Sequence, residues 1–268
     1  MLPDYGSPLT MVLTLKPCGY LRHRPYSMPR FYCPQPLELN VLLSLPDAIA
    51  HHIQVLRLKE GEVITLFNGE GGEYAASIEH IEKKRVEVRL KTFSAREAEP
   101  AHALALAQVL PEGSKMDWIM EKAVELGATS IQPLLSERSV IRLNAERATK
   151  KMSHWQGVLA AASEQCGRNR LPHLSEPLPF LSWIAQQDLH PRLLLSPRGT
   201  LSLSGWAKHH PAQAVTLIIG PEGGLTPVEE QAAITHGALC LTIGERVLRT
   251  ETAGLAAIAA LQSIWDEL

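Results

Sequence analysis

The pattern of hydrophobic and polar positions divides the chain into two parts. In the first part, residues 28–93, short apolar runs alternate with polar residues, and Arg85–Lys91 (RVEVRLK) places every second residue on one apolar face. Val63–Phe67 and Tyr74–Ile78 flank the turn dipeptide Asn68-Gly69, which predicts a hairpin. Short strands and tight turns over about 65 residues are typical of a small β-barrel.

After a polar linker at Ser94–Ala101, apolar strands alternate with helices. The strand candidates are Leu104–Leu110, Ile131–Leu135, Arg192–Leu195, Val215–Ile219 and Leu239–Ile243. The helix candidates are Ser114–Leu126, Ala145–Gln165, Leu178–Gln187, Pro227–His236 and Thr252–Trp265. This order predicts an α/β domain with a mainly parallel sheet and helices on both faces. We therefore expect one domain at residues 28–98 and a second at residues 99–268.

Two strands of the second part end in glycine-marked turns that lead into helices. They are AVTLIIGPEGGLTPVEE (Ala214–Glu230) and LTIGERVLRTETAGLAA (Leu241–Ala257), and the strands stop at Gly220 and Gly244. Ligands of open α/β sheets collect at the carboxyl ends of strands, so the two turns predict one shared site. Thr226 with Glu229 predicts a capping box at the helix after the first turn. A capping role for Thr250 or Thr252 is the alternative reading of the second turn.

Composition narrows the function classes only a little. The 268 residues are 45% hydrophobic and 20% charged with a net charge of −2, so any nucleic-acid surface has to be local. The four cysteines are scattered, no apolar run has transmembrane length, and a cytoplasmic location follows as the default. Residues 1–27 contain four prolines, and we expect that they form a flexible extension or that the natural protein starts at Met28.

The segment from Arg138 to Arg170 carries a local excess of positive charge. It holds seven basic residues, Arg142 among them, against two acidic ones, and it ends in the cluster GRNR, which favours RNA binding over a solvated helix face. His51 and His52 lack further ligands at metal-binding spacing, so we expect no metal and read them as surface histidines near RNA. The chain has no phosphate-loop, GxGxxG or GxSxG motif, which makes kinase, nicotinamide or serine-hydrolase chemistry a poor fit.

Taken together, seven segments resemble in order the motifs of the RsmE family of 16S rRNA (uracil-N3) methyltransferases. They are RFY (Arg30–Tyr32), HHIQVLRL (His51–Leu58), KMDWIMEKAVELG (Lys115–Gly127), LLSERS (Leu134–Ser139), SEQCGRNR (Ser163–Arg170), IGPEGGLTPVE (Ile219–Glu229) and IGERVLRTETA (Ile243–Ala253). The resemblance covers residues 29–268, and residues 1–27 have no counterpart in it. It implies a small PUA-like RNA-binding barrel, a SPOUT methyltransferase domain with a trefoil knot, S-adenosyl-L-methionine as methyl donor, a homodimer and 16S rRNA of the small ribosomal subunit as substrate.

The resemblance also implies which residues form the site. Cofactor binding is expected at the two turns and the neighbouring strand end, namely Leu195, Ser196, Ile219, Gly220, Pro221, Glu222, Gly223, Gly224, Ile243, Gly244, Val247, Leu248, Thr250, Thr252 and Ala253. RNA binding is expected at Arg30, His51, Arg57, Lys115, Arg138, Arg168, Asn169 and Arg170.

Uracil N3 becomes a good nucleophile only when its proton leaves, so its methylation needs a proton acceptor and a donor toward the carbonyl oxygens. Arg249 is the candidate donor and Glu251 the candidate base, with water or a group of a partner subunit as alternatives to Glu251. Two other functions stay open. One is a ribose 2′-O RNA methyltransferase of the same fold class, and the other is a non-catalytic rRNA-binding assembly factor.

Overall fold

The computed structural model describes residues 28–83, 85–139 and 144–266. The expected extension at residues 1–27 and the basic residue Arg142 lie outside the described part of the chain. The strands within it form two sheets, one of five strands and one of eight.

The first sheet is small and mixed. Its strands are β1 (Arg30–Tyr32), β2 (Leu42–Ser44), β3 (Val63–Phe67), β4 (Glu73–Ile81) and β5 (Val86–Ser94), and their order in the sheet is β1-β3-β4-β5-β2. β3 and β4 pair antiparallel, which confirms the predicted hairpin. The alternation in β5 is confirmed as well, because Val86, Val88 and Leu90 are fully buried. Helix α1 (Asp47–Val55) packs Ile49, Ala50 and Ile53 onto the same core. A closed barrel stays a prediction, since β1 and β2 are the two ends of this strand order.

The second sheet consists of parallel pairs only. Its strands are β6 (Leu104–Val109), β7 (Ser130–Leu135), β8 (His173–Leu174), β9 (Leu178–Pro179), β10 (Arg192–Leu195), β11 (Leu201–Ser202), β12 (Val215–Ile219) and β13 (Leu239–Thr242). The order is β11-β13-β10-β12-β6-β7-β8, with β9 also pairing with β7. The predicted mainly parallel sheet is therefore confirmed.

Helices cover both faces of this sheet, as the sequence predicts. They are α2 (Lys115–Glu125), α3 (Ala145–Cys166), α4 (Phe180–Ile184), α5 (Leu203–His209), α6 (Pro227–Thr235) and α7 (Thr250–Ile264). Helices α2, α3, α5 and α7 bury their apolar sides in one core, while α4 and α6 pack on the opposite face. The approach of α7 to the sheet is close: a Cβ at Gly254 would lie 3.1 Å from a methyl of Leu106 and 3.3 Å from Ile219.

The predicted bounds of two helices were wrong, and a third helix was not predicted. The helix expected over Leu178–Gln187 is shorter, because Leu178–Pro179 forms β9 and only Phe180–Ile184 is helical. Helix α5 was not predicted, since its seven residues contain Gly205 and give too short a period. Helix α7 begins at Thr250 rather than Thr252, with Arg249 as its N-cap, so neither threonine is the cap residue.

Candidate functional site

The carboxyl ends of three neighbouring strands meet at one cleft. β10 lies between β12 and β13 in the sheet, so Leu195, Ile219 and Thr242 end side by side. The cleft has a volume of about 730 Å³, and its lining combines both glycine-marked turns with the loop after β10. This volume lies within the roughly 300–1,000 Å³ that small-molecule pockets usually have.

The first turn is held in a conformation that suits glycine. Gly224 has φ +68°, and its N–H donates to the carbonyl of Pro221 at 2.8 Å. A Cβ at Gly220 would lie 3.3 Å from the backbone nitrogen of Leu225. The predicted capping box is confirmed: Thr226 Oγ1 accepts from the Glu229 N–H, and the Glu229 carboxylate accepts from the Thr226 N–H. The turn is therefore fixed at both of its ends.

The second turn is tied to the first through a threonine hydroxyl. Thr250 opens α7, is buried, and its Oγ1 donates to the carbonyl of Gly220 at 2.6 Å. The same Oγ1 accepts from Nε2 of Gln108 on β6 at 3.0 Å. Sequence analysis did not single out Gln108, which is a lone polar residue in the run LALAQV and carries no motif of its own.

Charged side chains of opposite sign face each other at the mouth of the cleft. Arg249 is 80% exposed, and its guanidinium lies 4.0 Å from Oε1 of Glu251, whose side chain is 16% exposed. Glu251 Oε2 is buried and has no hydrogen-bond partner among the described residues, although Lys115 Nζ lies 3.7 Å away. Lys115 Nζ donates instead to Glu222 Oε1 at 2.7 Å.

These contacts shift two pKa values. The hydrogen bond to Glu222 raises the pKa of Lys115. Burial alone would raise the pKa of Glu222, but the hydrogen bonds it accepts, first from Lys115, outweigh burial and lower that pKa. The Lys115–Glu222 pair therefore stays charged at neutral pH.

A second carboxylate of the cleft was missed by the sequence analysis. Glu230 is buried, and it accepts a hydrogen bond from Ser196 Oγ at 2.9 Å and another from Arg198. Burial opposes its ionisation, but the hydrogen bonds from Arg198 and Ser196 outweigh burial and lower the pKa of Glu230. Cys240 Sγ lies 3.6 Å from the same carboxylate. Glu230 thus fixes the loop after β10, a role that its position in the first turn of α6 did not reveal.

Most of the residues predicted for cofactor binding lie around this cleft. Those that line it are Leu195, Ser196, Ile219, Gly220, Pro221, Glu222, Gly223, Gly224, Ile243, Gly244, Val247, Leu248, Thr250 and Ala253, together with the predicted donor Arg249. Two predicted site residues, Thr252 and Glu251, do not line the cleft. Glu251 lies 3.7 Å from Nζ of Lys115, which does line it.

The residues predicted for RNA binding fall into two groups. Arg168 and Asn169 are buried between the two sheets, at 3% and 0% exposure. Arg168 binds Glu99 and the carbonyls of Val124 and Ala128. Arg168 and Asn169 are therefore bound within the protein in this conformation, whereas Arg170 of the same GRNR cluster is exposed.

Arg30 belongs to the same junction. Its NH2 donates to Asn169 Oδ1 at 2.7 Å, and its NH1 pairs with Glu73. Arg96 binds the same carboxylate at 2.8 Å and also donates to the Gly167 carbonyl. The hydrogen bond from Arg96, against the effect of burial and with help from Arg30, lowers the pKa of Glu73 to about 2.

The other RNA candidates are accessible. His51, Arg57, Arg138 and Arg170 are exposed, and Lys115 is partly so. Arg138 donates to the Gly223 carbonyl at 2.7 Å, at the rim of the cleft. His52 packs edge-on against Phe31 with ring centroids 5.3 Å apart.

The described residues contain neither a candidate metal site nor a membrane-spanning helix. No group of three or more histidine, cysteine or acidic side chains there is arranged to hold a metal ion. None of the helices in the described ranges has the length and hydropathy that crossing a membrane requires.

Two family models match the chain. The model of an RNA methyltransferase domain matches residues 97–262, and the model of an RNA methyltransferase PUA domain matches residues 45–91. Two relatives carry the name ribosomal RNA small subunit methyltransferase E. The protein from Buchnera aphidicola subsp. Schizaphis graminum is 31% identical over 90% of this chain and 98% of its own length. That from Bacillus subtilis is 30% identical over 85% of this chain and 92% of its own.

Solved structures show the same fold. The crystal structure of a ribosomal RNA small subunit methyltransferase E from Neisseria gonorrhoeae, bound to S-adenosyl methionine, is 39% identical with a TM-score of 0.85. It matches 89% of this chain and 98% of that one. A putative methyltransferase from Legionella pneumophila in complex with the cofactor SAM is 37% identical with a TM-score of 0.84, over 88% of this chain and 97% of that one.

Proposed function

The chain belongs to the family of ribosomal RNA small subunit methyltransferase E, and on that basis we propose that it transfers a methyl group from S-adenosyl-L-methionine to N3 of one uridine in 16S rRNA. The observation that carries the proposal is the cleft where the two turns and the β10 end meet, with Arg249 among its lining residues and Glu251 4.0 Å from that guanidinium. We place this activity in the cytoplasm, on the small ribosomal subunit or its RNA.

The cleft suits S-adenosyl-L-methionine in both size and lining. Its volume is about 730 Å³, and it offers aliphatic side chains for an adenine ring, Leu195, Ile219 and Leu248 among them. Gly220 lines the cleft, and a Cβ there would lie 3.3 Å from the backbone nitrogen of Leu225 in the same turn, so the turn leaves little room for a side chain. When bound, S-adenosyl-L-methionine supplies an electrophilic methyl group on a sulfonium.

The chain's own residues supply the rest of the chemistry. Glu251 Oε2 takes the proton from uracil N3, because it is the buried carboxylate oxygen that accepts no hydrogen bond. The Arg249 guanidinium, exposed and 4.0 Å from that carboxylate, donates to a uracil carbonyl oxygen as negative charge moves onto it. Lys115 Nζ lies 3.7 Å from Glu251 Oε2. Water and a partner-subunit group are the alternatives to Glu251 as proton acceptor.

RNA is bound, in this proposal, by the exposed basic residues His51, Arg57, Arg138 and Arg170 and by Lys115. The trefoil knot and the homodimer are part of the proposal too. Support for the knot comes from the strand order, in which the last strand, β13, lies between β10 and β11 rather than at an edge. Light scattering of the purified protein at several concentrations tests the homodimer, and a monomer throughout would contradict it.

The test of the function uses small subunits from a strain that lacks this chain. Incubation with the purified protein and labelled S-adenosyl-L-methionine is expected to add one methyl group, which mass spectrometry of digested RNA places on a uracil base. A methyl on ribose indicates the 2′-O activity, and no transfer at all indicates a non-catalytic assembly factor.

Variants assign the roles within the site. Arg249→Ala is expected to lower kcat at least about 100-fold, the usual cost of removing one preorganised donor. Glu251→Gln is expected to lower kcat by at least about 100-fold as well, the usual contribution of a general base. Arg85→Ala removes one exposed charge from the small sheet and serves as the control with unchanged kcat. Normal turnover by Arg249→Ala would remove Arg249 from the mechanism.

A further inference from the structure

Gln108 begins a chain of hydrogen bonds that ends in the first turn of the cleft. It is fully buried on β6. Its Nε2 donates to the Val109 carbonyl at 2.8 Å and to Thr250 Oγ1 at 3.0 Å. Thr250 Oγ1 then donates to the carbonyl of Gly220 at 2.6 Å. The Thr250 hydroxyl thus connects the two turns, and Gln108 donates to that hydroxyl from a strand inside the sheet.

The direction of this chain is fixed by chemistry. The Gly220 carbonyl has no hydrogen, so the Thr250 hydroxyl has to donate to it and can only accept from Gln108. A flipped amide would place Gln108 Oε1 against the Val109 carbonyl, with two acceptors facing each other. Both hydrogens of Nε2 are therefore donated, one to the Val109 carbonyl and one to Thr250 Oγ1.

Stability alone does not favour glutamine at this position. Gln108 Oε1 is buried and has no hydrogen-bond partner among the described residues, which typically costs about 1–3 kcal/mol. The neighbours Ala107 and Val109 are fully buried and apolar, so a leucine at 108 would avoid that cost. A buried polar side chain that carries this cost, and whose hydrogen bonds lead to the cleft, indicates a requirement of the site.

We propose that Gln108 is a positioning residue of the cofactor cleft. It holds the Thr250 hydroxyl in the orientation that fixes the Gly220 carbonyl, and so it sets the first turn against the start of α7 before the ligand arrives. This inference rests on the proposed function, since it takes S-adenosyl-L-methionine to be the ligand of the cleft. Gln108 itself is not among the residues that line the cleft, so it acts through Thr250.

The matched control is a glutamine on the neighbouring strand. Gln132 on β7 lies in register beside Ala107, and its Nε2 likewise donates to the carbonyl of the next residue, Pro133, at 2.8 Å. Its second hydrogen bond goes to the Glu176 carbonyl and not to either turn of the cleft. Gln132→Leu therefore repeats the chemical change of Gln108→Leu without touching the cleft.

The experiment measures binding of S-adenosyl-L-methionine by calorimetry and the kinetics of methylation. Gln108→Leu is expected to weaken binding and to raise KM for the cofactor about tenfold, which corresponds to about 1.4 kcal/mol, with kcat changed less than threefold. Its thermal stability without cofactor should stay close to that of the wild type, because removal of the orphaned oxygen offsets the loss of the hydrogen bonds to Val109 and Thr250. Gln132→Leu should bind the cofactor as the wild type does.

Substitutions at Thr250 give an independent test. Thr250→Ser keeps the hydroxyl and should bind near the wild-type level, whereas Thr250→Val should lose at least tenfold in affinity. If Gln108→Leu does not fold, the comparison of Thr250→Ser with Thr250→Val tests the inference in its place. If the wild type binds the cofactor and either Gln108→Leu or Thr250→Val binds it equally well, the inference is overturned but the proposed function is not. A wild type that binds no S-adenosyl-L-methionine overturns the proposed function and the inference with it.

Discussion

Replacement of Arg168 distinguishes a junction between the two sheets from an RNA contact. The guanidinium is 3% exposed and donates to the Glu99 carboxylate and to the carbonyls of Val124 and Ala128, at 3.1 and 2.7 Å. Arg168→Leu leaves that carboxylate and both carbonyls without their donor. Removal of one partner from a buried ion pair typically costs about 3–5 kcal/mol. For a domain of this size the melting temperature should fall by roughly 6–20 °C.

The assay combines thermal unfolding, followed by circular dichroism at pH 7, with RNA affinity over a salt series. Arg170→Leu is the control for stability, because it removes the same charge two residues further along the chain. The Arg170 side chain is 54% exposed, and its Nε lies 3.7 Å from Glu97 Oε1. That variant should lose about 0–1 kcal/mol of stability. The reasoning is refuted if Arg168→Leu melts like the wild type and its log–log salt dependence of RNA affinity becomes shallower by about 0.7, the value for one phosphate contact on a single strand.

Three further predictions test single contacts. The pKa of Glu73 falls from an ordinary 4.5 to about 2, so its ion pairs stabilise the fold above about pH 4.5 and that contribution is lost as pH falls toward 2. In urea titrations Glu73→Gln should therefore be less stable than the wild type at pH 7, with the difference shrinking below pH 4.5. Thr226→Ala removes the capping box and should lower the free energy of unfolding by about 1 kcal/mol, measured by the same titration. Gly254→Val adds a side chain where a Cβ already lies 3.1 Å from Leu106, and it should cost about 1–3 kcal/mol in thermal unfolding.

The parts of the fold that could be predicted are those with a strong local pattern. β10 and β12 have the predicted bounds, because an apolar strand of a parallel sheet stands out against polar surroundings. The capping box at Thr226 was predictable for the same reason, since all its partners lie within four residues. Helix α5 was missed because its seven residues, Gly205 among them, carry only a single turn of apolar spacing, at Leu203, Trp206 and Ala207.

The parts that could not be predicted depend on partners far apart in sequence. Arg168 is neutralised by a carboxylate 69 positions earlier, and Gln108 reaches Thr250 across 142 positions. Sequence spacing shows a basic cluster and a lone glutamine but not the groups that satisfy them. The cofactor cleft was accessible to prediction because both turns carry glycines, whereas Glu230, in an unremarkable helix, carried no signal.

The use of positive charge links the junction to the site. Arg30 and Arg168 pair with carboxylates and are 14% and 3% exposed, so they are not available to phosphates, and Arg96 pairs with Glu73 as well. Hydrogen bonds from Arg30 to Asn169 and from Arg96 to the Gly167 carbonyl fix the small sheet against the end of α3, where the Tyr32 N–H also donates to Glu164 at 2.7 Å. In the proposed function, RNA bound at His51 and Arg57 beside this sheet is thereby held at a set distance from the cleft. In that proposal these arginines contribute to catalysis through geometry, because an RNA that is held in place loses less entropy when its uridine enters the site.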